Sequence, residues 1–260
     1  MANLKSINVR GASLTDQGLA RKENQDAFFV DQQKGLFIVA DGMGGHAAGA
    51  TASRRVIELL PGLVAEQYGR LGQNGKPVSD AEIGQALRKA AIKLNAQIHL
   101  EGEADINKRG MGATVVVASF VDNWVYLMHL GDSRAYLWRR SYFQQLTEDH
   151  TVGMMLLRLN QITPEELEQK PVLQRLSRCV GMEGEAKPEV QKMVVQGGDR
   201  ILLCSDGLTK MVGDERVSEI LGESDEPETI CERLVAAANA AGGLDNVTAV
   251  VIFVEGVAAA

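Results

Sequence analysis

Residues 113 to 146 leave this chain few options. Ala113 to Val121 is an apolar, β-branched run, Asp122-Asn123 reads as a turn, and Trp124 to Leu130 is a second such run. Gly131-Asp132-Ser133-Arg134 turns again into Ala135 to Trp138, and Tyr142 to Leu146 follows. Connections this short join antiparallel neighbours, because a parallel pair needs a crossover of about a dozen residues or more. The segment is an antiparallel meander, which argues against the all-parallel sheet of a dinucleotide-binding domain.

The rest of the chain supplies further strands and several helices. Strands are predicted at 6 to 14, 27 to 31, 36 to 40, 189 to 195, 200 to 204 and 247 to 254. The Ala-rich run from Ala47 predicts a helix that kinks or stops at Pro61-Gly62. Residues 69 to 78 and 105 to 110 read as loops. Ser79-Asp-Ala-Glu82 is a capping box, and Ile83, Leu87, Ala90, Leu94 and Ile98 mark one buried helix face. Asp214 and Pro227 open two more helices, the second closing at Gly242-Gly243. Residues 147 to 180 carry no strand pattern. With Thr163-Pro164 as a helix start, they read as a helical excursion from the sheet, Met154 and Met155 being assigned to core packing. Ala258 to Ala260 reads as a frayed tail.

Bulk properties exclude some classes. At 260 residues and 45% apolar content the chain is large enough for one substantial domain. A net charge of −7 provides no general basic field for nucleic acid or acidic membrane. Cys179, Cys204 and Cys231 are odd in number and far apart, and no apolar N-terminal segment is present. That pattern predicts a reducing, cytoplasmic setting. No apolar run approaches the roughly 20 residues of a membrane span.

Chemistry centres on carboxylates. Leu36-Phe-Ile-Val-Ala40 is a buried-strand pattern that ends in Asp41-Gly42-Met-Gly44-Gly45-His46. Asp-Gly after a strand is often only a turn. Gly42-Met-Gly44-Gly-His-Ala47 also fits a dinucleotide fingerprint, weakened by the charge of Asp41 beside the pyrophosphate. A third reading is a hard cation held by carboxylate and carbonyl oxygens. It gains weight because the ending repeats. Asp206-Gly207 follows the run Ile201 to Cys204, Asp245-Asn246 precedes the last strand, and Asp132 sits in a meander turn. Four aspartates at strand ends suggest a cluster that would repel itself without cations. All-oxygen donors with no clustered His or Cys favour Mg²⁺ or Mn²⁺ over Zn²⁺.

Six short motifs stand in order along nearly the whole chain. They are Arg21-Lys-Glu-Asn-Gln25-Asp26, Val39-Ala-Asp41-Gly42-Met-Gly44-Gly45-His46, Gly112-Ala-Thr114, Gly131-Asp132-Ser133-Arg134, Cys204-Ser-Asp206-Gly207-Leu208 and Asp245-Asn246-Val-Thr248. Together they resemble the type 2C (PPM) metal-dependent serine/threonine protein phosphatases, most closely the bacterial branch. The resemblance implies an α+β fold, two stacked antiparallel β-sheets flanked by α-helices on both faces. It implies one domain over residues 1 to 260, with a variable flap at about 147 to 180. It also implies a role in bacterial signalling, on phosphoproteins made by a serine/threonine kinase, with neither nucleic acid nor membrane as partner.

Carried over by position, Asp41 resembles the carboxylate that bridges two core Mn²⁺ or Mg²⁺ ions, and Gly42 the carbonyl ligand beside it. Asp206 and Asp245 resemble the other carboxylate ligands, and Asp132 with Asp206 a weaker third-metal site. Arg21 resembles the phosphate anchor, its planar fork matching phosphate oxygens. Gln25, Asp26 and Asn246 stand behind the ligands, Asp26 to orient metal-bound water. The implied mechanism is in-line attack on phosphorus by a metal-bridging hydroxide, without a phosphoenzyme.

Two positions depart from the family. Gln25 replaces a Glu of many relatives, removing one negative charge near the second metal. Met43 replaces a His that some eukaryotic relatives carry as the proposed general acid. His46 reads as a helix-start residue, His99 and His129 as helix and strand residues, and His150 in Glu-Asp-His-Thr has no assigned role. Cysteine-phosphatase chemistry is disfavoured, because Glu185, Lys210 and Ala237 stand where C-x₅-R needs arginine. The alternatives are a non-enzymatic phosphoprotein-binding module on the same fold, which predicts lost metal ligands, and, more distantly, a dinucleotide-dependent enzyme.

Overall fold

The computed structural model describes residues 7–44, 47–73 and 77–256. In chain order, strands β1 (Asn8–Asp16), β2 (Asp26–Asp31) and β3 (Leu36–Met43) precede helices α1 (Ala47–Tyr68) and α2 (Asp80–Ala104). Five strands follow, β4 (Gly112–Ala113), β5 (Val115–Val121), β6 (Trp124–Leu130), β7 (Arg134–Arg139) and β8 (Tyr142–Gln145), but they are not the single meander expected, since β6 and β7 do not pair and the turn at 131–133 carries the chain from one sheet to the other. Short helices α3 (Val152–Arg158) and α4 (Pro164–Gln169) come next. The chain then returns through β9 (Glu189–Val194), β10 (Arg200–Cys204), α5 (Asp206–Thr209), α6 (Asp214–Gly222), α7 (Pro227–Ala240) and β11 (Val247–Gly256).

The strands make two antiparallel sheets. One runs β1-β11-β10-β7-β8, and the other runs β2-β3-β5-β6-β9 with β4 paired to the end of β3. Alternation along the strands stacks them. Phe37, Val39, Val116, Ala118 and Phe120 from one sheet meet Leu137, Ile201, Leu203, Val250 and Ile252 from the other in a shared core. The intervening residues face outward under helices. Leu36, Ile38, Val115 and Val117 lie beneath α1 and α2, while Leu202, Cys204, Ala249 and Val251 lie beneath α5 to α7. Strands covered on both faces read as continuous apolar runs, which is why 36–40 and 247–254 lack alternation in sequence. The order is helix, sheet, sheet, helix. The all-antiparallel pairing excludes the crossover that the dinucleotide fingerprint requires.

Several boundaries differ from expectation. Helix α1 runs through Pro61 without stopping. Val56, Leu60 and Val64 are buried against the sheet along one face, and that packing outweighs the one backbone bond proline removes. Strand β3 continues two residues past Asp41, because Gly42 and Met43 pair with Ala113 and Gly112. The run from Ala113 breaks at Thr114, whose side chain is recruited to Asp41. Met155 is 49% exposed, so the Met154-Met155 pair is not wholly core. The expectations for His46 and Ala258 to Ala260 fall outside the described residues. Among the described residues no helix is long and apolar enough to cross a membrane.

Candidate active site

The aspartates gather where the two sheets end together. Phe37 and Val39 face the inter-sheet core, and period-two alternation puts Asp41 on that side at the sheet's end. Asp26 is its direct cross-strand partner, so it shares the face. From the other sheet, Asp206 follows β10 and Asp245 stands just before β11. Asp132 lies on the turn from β6 to β7, where the chain passes from one sheet to the other. Arg21, Gln25, Asp41, Gly42, Asp132, Asp206, Asp245 and Asn246 line one cleft of about 680 Å³. Asp26 is buried beneath it.

Backbone contacts fix these groups. The Asp41 N–H donates to Thr114 Oγ1 at 3.2 Å, the Asp41 carbonyl accepts from the Thr114 N–H at 2.9 Å, and the Thr114 hydroxyl shares a 2.6 Å bond with Ser133. The Gly42 N–H donates to the Gln25 carbonyl at 3.0 Å, and a Cβ on Gly42 would lie 2.0 Å from the Gly49 carbonyl oxygen. Only glycine fits there. Asn246 ties the Arg21 loop to β11. Its Oδ1 accepts from the Gln25 N–H at 2.9 Å, and its Nδ2 donates to the Gln17 and Glu23 carbonyls at 2.8 and 2.9 Å.

Two cationic side chains enter the cluster. Arg21 donates to Asp245 at 2.7 Å, and the Lys210 ammonium bonds Asp206. These pairs engage Asp245 and Asp206, and leave Asp26, Asp41 and Asp132 without a cationic partner among the ion pairs of the described residues. Among the described residues, the only three His, Cys, Asp or Glu side chains whose ligand atoms fall within 4.8 Å of one another are His129, His150 and Glu189. Yet Asp26 Oδ1 and Asp206 Oδ1 are buried with no hydrogen-bond partner. Orphaned carboxylate oxygens are costly, and an all-oxygen set with such orphans fits hard divalent cations.

Electrostatics report the same crowding. Burial pushes Asp132 up to about 7, the charge of Asp206 adding and Lys210 opposing. Burial pushes Asp26 up to about 6, although the hydroxyls of Ser205 and Thr248 donate to its Oδ2 at 2.6 and 2.7 Å. Asp41 lies well above the carboxylate range, through burial and the charges of Asp26, Asp206 and Asp132. In the folded, metal-free protein Asp26 and Asp132 therefore keep protons that the unfolded chain gives up between the ordinary aspartate value of 3.8 and about 7, while His129 and His150, lowered by burial, act in the opposite sense. The contribution of the two aspartates to stability falls as pH rises through that window. Thermal melts of EDTA-treated protein are expected to show this slope, which Asp132→Asn should flatten. A slope unchanged in that variant would contradict it.

Every aspartate of the expected set reaches the cleft or its floor. Lys210, Ser205, Thr248 and Thr114 as the Asp41 clamp were not foreseen. Lys210 stands four residues after Asp206, a spacing that brings the two together once Asp206 begins a helix. The hydroxyls give no such signal, since their roles depend on sheet packing.

Known proteins are similar to this chain in sequence and fold. The chain matches the family described as Protein phosphatase 2C over residues 10–236. It is 36% identical over 241 residues to the serine/threonine phosphatase stp of Listeria monocytogenes, covering 92% of this chain and 93% of that protein. The crystal structure of the Mycobacterium tuberculosis serine/threonine phosphatase PstP/Ppp superposes with a TM-score of 0.81 at 36% identity, over 95% of this chain and 99% of that one. The catalytic domain of PstP in complex with 2 manganese ions gives a TM-score of 0.76 at 36% identity, over 94% and 97%.

Proposed function

We propose, since this chain belongs to the protein phosphatase 2C family and is a metal-dependent protein-serine/threonine phosphatase, that its cleft holds two Mn²⁺ or Mg²⁺ ions on Asp41, Asp206, Asp245 and the Gly42 carbonyl. The observation that carries this is the convergence of those residues and Arg21 on one cleft at the seam of the sheets. When bound, divalent cations supply a nucleophile at neutral pH and Lewis-acid stabilisation of phosphoryl oxygens. The remaining work falls to the chain itself. Arg21 is 53% exposed at the rim, so it can leave Asp245 and fork onto a phosphate. Asp26, pinned through Oδ2, keeps Oδ1 available to accept from water on the cleft floor. Asn246 and Gln25 hold the Arg21 loop in register.

Water attacks phosphorus directly. The three cysteines are buried, with pKa values pushed up to about 12 by burial, and do not line the cleft. The test is an assay on phosphoserine, phosphothreonine and phosphotyrosine peptides after EDTA stripping. Activity on the first two should return with Mn²⁺ or Mg²⁺, and full activity without metal would refute the reading. The substrates are phosphoproteins, made by an opposing serine/threonine kinase in a cytoplasmic setting.

Asp132 with Asp206 forms a weaker third-cation site that assists departure of the serine or threonine oxygen, a task Met43 has no proton for. Asp132→Ala should keep the two tight ions by calorimetry. It should lose roughly tenfold or more in kcat on a phosphopeptide and less on an aryl phosphate with a good leaving group. Equal losses on both would exclude a role in protonation.

The single domain carries residues 147 to 180 as its flap, contributing Gln174 and Leu176 to the cleft wall. This segment selects protein substrates. Exchanging it for a relative's segment should change phosphoprotein preference while an aryl phosphate is still hydrolysed at a near-native rate. Loss of both activities in a folded chimera would contradict selection alone.

A further inference from the structure

His150 takes no part in the chemistry above, yet it is 6% exposed and sits at a junction. Its N–H donates to the Gly131 carbonyl at 2.9 Å, and its Nδ1 accepts from the Gly131 N–H at 3.3 Å. Both backbone polar groups of Gly131 thus end on one residue. Gly131 has φ +110°, and a Cβ there would lie 2.6 Å from Thr114 Cβ, so the turn bearing Asp132 gets no restraint from a side chain of its own at 131. On its other side, the His150 carbonyl accepts from the Ser177 N–H at 2.8 Å, and the Val152 N–H donates to the Arg175 carbonyl at 2.8 Å. Thr151 bridges Leu176, which lines the cleft.

The ring is held as firmly. It stacks on His129 at 4.3 Å with 13° between planes, and His129 Nε2 is fixed by the Glu148 carbonyl at 2.8 Å. With Nδ1 accepting from Gly131, Nε2 faces Glu189 Oε2 at 3.4 Å and Arg178 Nη1 at 3.2 Å. Burial pushes the His150 pKa down to about 4, the neighbouring His129 and Arg178 adding to the effect. The spacing of His129, His150 and Glu189 invites a metal reading. Two nearly parallel rings, however, aim their lone pairs along parallel lines and not at one ion, and Arg178 Nη1 already lies 3.2 Å from Nε2. The trio is a packed strut.

We propose that His150 is a positioning residue, through which the flap lip at 174–178 and the turn carrying Asp132 hold one common placement at the cleft. The proposal rests on the reading of Asp132 as part of the catalytic cleft. Two variants separate positioning from packing. His150→Ala loses ring and acceptor, whereas His150→Asn loses the ring but keeps an acceptor, Oδ1, near the place of Nδ1. Both should lose similar melting temperature, because both lose the stack.

In hydrogen exchange on the metal-loaded full chain, Gly131 and residues 174–178 should exchange roughly tenfold or more faster in His150→Ala, with Gly131 protected in His150→Asn. On a phosphothreonine peptide, kcat should fall roughly tenfold or more in the Ala variant, recover largely in the Asn variant, and move more than KM. Equal kcat losses in both variants, tracking melting temperature, would overturn the proposal. So would unchanged exchange at 174–178 in His150→Ala. Asp132→Ala measured alongside keeps the two readings apart. Full activity there removes Asp132 from the reaction, and the exchange data still decide the coupling.

Discussion

Asp41→Asn is expected to lower turnover of a phosphothreonine peptide by roughly three orders of magnitude while the protein stays folded. Asparagine keeps the size of the side chain, and the clamp from Thr114 uses only the Asp41 backbone. What disappears is a negative charge proposed to hold the cations. Lewis-acid stabilisation is worth several kcal/mol, and each ~1.4 kcal/mol is tenfold in rate. The variant also removes a carboxylate held well above its ordinary range by burial and like charge. Metal-free Asp41→Asn should therefore melt no lower than metal-free wild type at neutral pH, which separates a lost ligand from a damaged fold. Asp206→Asn should lose turnover alike, although it also breaks the ion pair with Lys210. Wild-type rates at limiting Mn²⁺ in either variant would remove that residue from the ligand set.

Arg21→Ala should reduce kcat/KM on a phosphopeptide by about 2–4 kcal/mol, roughly 30- to 900-fold, if the contact tightens in the transition state. Arg21→Lys should recover only part, since an ammonium cannot fork onto two oxygens. The ion pair with Asp245 adds a control. Removing Arg21 frees a proposed cation ligand, so metal affinity measured by calorimetry should hold or rise as activity falls. Unchanged kcat/KM, or loss of both activity and metal, would mean that Arg21 does not act on phosphate.

What was legible in the sequence was local. Antiparallel order followed from two-residue turns such as Asp122-Asn123, and the buried strands from apolar runs. Asp41 and Asp206 stood out because a charge at the end of such a run has no packing reason to be there. Hidden features were those set by distant partners. Pro61 signals a break, yet Leu60 and Val64 pack α1 straight through it. Asp26 reads as a residue that orients metal-bound water, yet nothing local signals that Ser205 and Thr248, from the other sheet, close on its Oδ2. Asp132 and His150 are eighteen residues apart in sequence, but the His150 contact to Gly131 exists only once the flap segment folds back.

Strand β1 pairs along its whole length with β11, joining Thr15 to Thr248 and Asp16 to Val247. During translation, then, Arg21, Asp26 and Asp41 emerge early and wait for most of the polypeptide before Asp245 and Asn246 leave the ribosome. Closing so long a loop is entropically costly and comes late, when the final strand can slot between β1 and β10. A nascent or stalled chain that lacks β11 is therefore expected to be inert, with hydrolysis of a phosphopeptide appearing only once β11 is present.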